Sequence, residues 1–119
     1  MTSSCKIKLL TYSCNLTLIA TDQPKIEIAK VYKKHKLKNE VDYEIEGIFL
    51  SPKTNDYFLI LSLRYLTHNT IAHEMYHAAT RICEDREIKD EEAKAWLVGY
   101  VTGEMYKFLE KKNLQVKHG

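Results

Sequence analysis

What most limits the fold is a single change of hydrophobic period between residues 43 and 83. The runs DYEIEGIFLS and DYFLILSLR are rich in β-formers, and Pro52-Lys53-Thr54-Asn55 between them favours a turn. A β-hairpin is predicted. After it the spacing becomes helical: Ile71, Met75, Ala78, Ala79 and Ile82 form an apolar stripe over about residues 68–83. Thr67, Asn69 or Thr70 can cap its start.

The flanking segments complete the order. Residues 6–20 alternate well enough to predict one extended segment, bent near Ser13-Cys14-Asn15. Pro24 opens a helix in which Ile28, Val31 and Tyr32 share one face and lysines cover the other, so it should lie on a sheet with its basic side in water. EDREIKDE reads as a connection. From about Asp90 to Lys111 the chain is again helical, and AWLVGYV, apolar nearly all round, predicts a buried helix. The expectation is a single α+β domain over residues 1–119. It has a small antiparallel or mixed sheet, an N-terminal helix, the helix over 68–83 and a long C-terminal helix.

A chain of 119 residues suffices for one core, and 45% apolar with 29% charged residues is ordinary globular composition. The net charge of +2 is too small to imply nucleic-acid binding; the six lysines within residues 25–38 read as a solvated helix face. Cys5, Cys14 and Cys83 are odd in number and lack a C-x-x-C spacing, which fits a reducing compartment. No apolar run approaches the roughly 20 residues that span a bilayer. Thr11, Ser13, Asn15 and Thr17 interrupt the first apolar stretch in the manner of a strand rather than a signal peptide. A cytoplasmic protein without a membrane partner is expected.

The chemistry lies in His73-Glu74-Met75-Tyr76-His77, inside the helix over 68–83. Residues four apart on a helix differ by about 40° around the axis and about 6 Å along it, so the two imidazoles project side by side and can share one ion. Zinc takes such nitrogens at about 2.0–2.1 Å. Glu74, turned about 100° from His73, is poorly placed to ligate but suited to take a proton from a metal-bound water.

Catalytic zinc usually keeps three protein ligands. Acidic residues 84–87 fall at or past the end of the motif helix, pointing away, and Glu104 lies more than three turns into the next helix. That leaves Asp90, Glu91 and Glu92 where the chain returns. Glu92 heads the line Glu92, Trp96, Gly99, Gly103, whose glycines would permit close approach to a neighbouring helix, and is selected over the adjacent Glu91. DYFLILSLR, just before the motif, could offer an edge to an extended peptide.

In HEMYHAA and DEEAKAWLVGYVTGEMY the chain resembles the gluzincin metallopeptidases, in particular the small ones encoded by bacteriophages. The resemblance covers about residues 56–108. It implies a Zn²⁺ cofactor held by His73, His77 and Glu92, Glu74 as general base, a protein or peptide substrate, and the host cytoplasm as location. Related enzymes often add a Tyr or His to stabilise the oxyanion, a role for which Tyr100, two turns past Glu92, is available. The competing reading is a non-catalytic metal-binding regulatory or interaction protein, since so short a chain leaves few residues for substrate selection. His35 and His118 are expected in solvent, His68 at the surface or as a cap, and Cys83 in the core.

Overall fold

The bend expected near residue 13 is a full reversal. In the computed structural model, which describes residues 1–119, a 3-10 turn over Leu10–Tyr12 leads to Ser13 at φ 52°, and its N–H donates to the Leu10 carbonyl. Strand β1 (Thr2–Leu9) therefore pairs antiparallel with β2 (Cys14–Thr21) along its whole length. Helix α1 (Pro24–Lys34) follows, with Pro24 in the first turn as predicted. The second hairpin forms from β3 (Gly47–Lys53) and β4 (Asp56–Ser62), leaving residues 42–46 outside the strand. Helices α2 (His68–Asp85) and α3 (Glu91–Lys111) complete an α+β fold.

Because β4 pairs parallel with β2, the sheet order is β1-β2-β4-β3. The run DYFLILSLR thus supplies an interior strand. The free edge near the motif belongs to β3, not to the strand singled out from sequence.

Period-two alternation divides the core between the two faces. Ile19, Leu50, Phe58 and Ile60 meet Ile28 and Val31 of α1 on one side. Leu16, Leu18, Ala20, Tyr57, Leu59 and Leu61 meet α2 and α3 on the other. At about 1.5–3 kcal/mol per buried large aliphatic side chain, α1 is held by two such groups. Helix α2 buries Ile71, Met75, Ala78, Ala79, Ile82 and Cys83, and is the firmer element. Its Thr67 cap accepts from the Thr70 N–H.

Two expectations are corrected. Helix α3 is not buried all round: Leu97, Val101, Met105, Phe108 and Leu109 form one inward stripe, while Trp96 and Tyr100 are 74% and 51% exposed. A helix laid on one side of a two-layer domain has a single covered face. A Cβ at Gly99 or Gly103 would meet nothing within 4 Å, so neither glycine serves a close helix approach. His35, expected in solvent, is buried beside Phe58, its ring nitrogens within 2.9 Å of the Val31 carbonyl and 3.3 Å of Asp56. Cys83 is buried as expected, and no helix is long and apolar enough to cross a membrane.

The end of α2 is fastened by Arg86, which donates through Nε to the Tyr12 carbonyl (2.6 Å), through Nη1 to the Tyr57 hydroxyl (2.8 Å) and through Nη2 to the Ser13 carbonyl (3.4 Å). Tyr57 in turn donates to Asp85 at 2.5 Å. Burial, then this bond, push the Tyr57 phenol above its ordinary pKa. Arg86→Ala should lower the free energy of unfolding by about 2 kcal/mol, the scale of a lost charged hydrogen-bond donor. Urea denaturation checks this; a change under about 0.5 kcal/mol would show that the network holds nothing.

Candidate functional site

Helix α2 turns its apolar stripe to the sheet, which leaves His73 and His77 on its outer flank and Glu74 at the boundary. The four-residue spacing does what the pattern predicts. The two Nε2 atoms stand 3.1 Å apart, with the rings nearly perpendicular at a centroid distance of 4.6 Å. Two nitrogens bound tetrahedrally to one zinc at about 2.0–2.1 Å lie about 3.3 Å from each other. The pair, here in hydrogen-bond contact, has close to the nitrogen separation that one shared ion requires, once both Nε2 atoms are free of hydrogen.

Glu74 is 7% exposed, and its Oε2 lies 3.8 Å from His73 Nε2. What makes room for it is Gly47, paired with Leu61 on the sheet face beneath α2. A Cβ on Gly47 would fall 2.9 Å from Glu74 Cγ, 3.1 Å from Leu61 Cδ2 and 3.2 Å from Thr70 Cγ2. Burial raises the Glu74 pKa, and the neighbouring His73 and His77 oppose that shift.

A cleft of about 410 Å³ opens between β3 and α2. Gly47, Ile48, Phe49 and Ser51 form one wall; Glu74, His77, Thr80, Arg81 and Glu84 form the other. Glu84 was expected to point away from the motif. It lies seven residues, two turns, beyond His77 and so shares its flank of the helix. That spacing was the available signal for Glu84, and the four-residue step from His77 gives the same signal for Arg81, whereas Gly47 carried none.

Glu92 and Tyr100 are placed elsewhere. Glu92 lies in the first turn of α3, where its backbone N–H donates to the Asp90 cap. Its side chain lines a groove with Ala95, Trp96, Gly99 and Tyr100, to which α2 contributes no residue. The Tyr100 hydroxyl is 3.4 Å from Glu104. No group of three or more His, Cys, Asp or Glu side chains is arranged to hold a metal, so Glu92 does not join the two histidines. The reason is rotational: the buried stripe of α3 contains Leu97 and Val101, which turns Glu92 outward. Facing α2 instead is Lys94, whose Nζ donates to the Tyr76 hydroxyl at 3.1 Å.

Of the other histidines, His68 is exposed, 2.7 Å from the Tyr106 hydroxyl, with the His118 ring 5.4 Å away.

Comparison of the chain with protein-family models, with curated proteins and with solved structures gives no match.

Two outcomes follow from the fit of Glu74 over Gly47. Gly47→Ala should cost about 1–3 kcal/mol, the range for overpacking, read by urea denaturation; full stability would mean the contact relaxes freely. A carboxyl whose folded pKa is raised favours the fold while protonated, and that contribution is lost as pH rises from the ordinary glutamate range through the raised value. With chelator present, Glu74→Gln should therefore melt above the parent near neutral pH, with the gap closing on acidification. A gap independent of pH would contradict this.

Proposed function

We propose that the protein is a zinc-dependent peptide hydrolase, with His73 and His77 holding the ion and Glu74 as general base. The observation that carries this reading is the approach of the two Nε2 atoms to 3.1 Å beside a buried carboxylate of raised pKa. A zinc ion held there would supply Lewis acidity and lower the pKa of a water toward about 7.

Glu74 is suited to the proton traffic. A base whose pKa is raised above the ordinary carboxylate range accepts a proton from the attacking water more readily than an ordinary carboxylate does, and can still pass it to the leaving amine. The glycine beneath it and the apolar stripe of α2 keep it in place. Substrate binding falls to β3, which pairs with β4 on one side only and lines the cleft beside His77 and Glu74. An extended peptide could add there as a further strand. The unpaired cysteines suit a reducing compartment, which supports a cytoplasmic location.

A second reading is a non-catalytic metal-binding protein, favoured by the position of Glu92 outside the pair. Elemental analysis and peptide cleavage separate the two. Purified protein should carry about one zinc per chain, the stoichiometry of a single site. His73→Ala should lose it, and Glu92→Ala should keep it. Glu74→Gln should retain the metal and lose hydrolysis of a broad peptide library. Zinc retention with no cleavage by the parent protein would support the non-catalytic reading.

A further inference from the structure

The outer face of α3 is composed unlike a solvated helix surface. Glu92, Trp96, Gly99, Tyr100, Gly103 and Lys107 fall within an arc of about 100° and a length of about 22 Å. Trp96 and Tyr100 are exposed, and Leu10, 83% exposed at the β1–β2 turn, lines an adjoining groove with the same two aromatics. Gly99 and Gly103 alternate with the aromatics along this face and have open space above them. Single exposed apolar residues are normal, but two aromatics alternating with bare backbone, with an exposed leucine beside them, form a contiguous patch of the kind a partner covers.

The order of the residues identifies the occupant. About a two-fold axis crossing α3 between Gly99 and Tyr100, an antiparallel second copy sets Tyr100 over Gly99, Trp96 over Gly103 and Glu92 against Lys107. Each aromatic then meets a glycine, and each charge meets its opposite, twice over. Lys107 pairs with Glu104 at 3.4 Å in the single chain, but its side chain is 82% exposed, so the ammonium can reach a second carboxylate from across the contact. Parallel pairing would instead stack Trp96 on Trp96 and Glu92 on Glu92. We propose that the chain forms an antiparallel two-fold dimer through the outer face of α3.

Such a two-fold contact uses one patch against itself. A contact confined to one strip of a single helix belongs with the small, reversible interfaces, below the roughly 800 Å² per partner of a standard one. The face shares no residue with the cleft between β3 and α2, which stays open in both copies.

Trp96 is the only tryptophan, so its emission reads burial of this face directly. Sedimentation equilibrium from about 1 to 500 µM, bracketing a micromolar Kd, should show the mass rise from 13.9 kDa toward twice that value, with a parallel blue shift of emission. In Gly103→Leu the new side chain enters open space in the monomer and favours the helix. Its melting temperature in the monomeric range should therefore hold or rise while Kd increases about tenfold or more, as for truncating or blocking an interface anchor. Lys107→Glu should weaken the dimer, and adding Glu92→Lys should restore it. A parent protein that stays monomeric throughout the range, a dimer indifferent to Gly103→Leu, or a charge swap that restores nothing would overturn the proposal.

Discussion

The structure around the candidate site depends on one close approach, the packing of the Glu74 side chain onto the bare backbone of Gly47. Helix α2 lies across β3 and β4 at a depth set by its apolar stripe, and at that depth a glutamate in the boundary position must either clash with the strand or sit over a residue with no side chain. The glycine resolves the clash. It also forces the carboxylate out of water, which raises its pKa and keeps it within 3.8 Å of an imidazole instead of dispersed in solvent. A solvated carboxylate at the same point in the sequence would have neither property.

Much of this was legible before any coordinates. The second hairpin, the N-terminal helix with Ile28 and Val31 inward, the stripe of α2 and its Thr67 cap all follow from periodicity and turn chemistry, because each is decided by neighbours in sequence. The pairing of His73 with His77 belongs to the same class, since four-residue spacing alone sets it. The first hairpin was read as a bend because its reversal uses Leu10–Tyr12 and a left-handed Ser13, with neither glycine nor proline to mark it.

Long-range geometry was less accessible. That β3 is the edge strand follows from β4 pairing with β2 across the residues between Thr21 and Asp56, a long-range choice that no local pattern records. The rotation of α3 depends on which of several apolar residues win the core. Trp96 and Tyr100 look as buriable as Leu97 and Val101, yet only the latter pair faces inward, and the choice carries Glu92 to the outside. The domain thus presents two unlike surfaces, a polar cleft beside the histidine pair and an aromatic-glycine strip on the opposite helix.

The proposed chemistry requires two imidazoles arranged to share an ion. X-ray absorption at the zinc edge of the loaded protein tests this most directly. It should report two imidazole nitrogens at about 2.0–2.1 Å, both lost when His73 and His77 are replaced. A first shell without histidine, or a spectrum unchanged by those replacements, would contradict it.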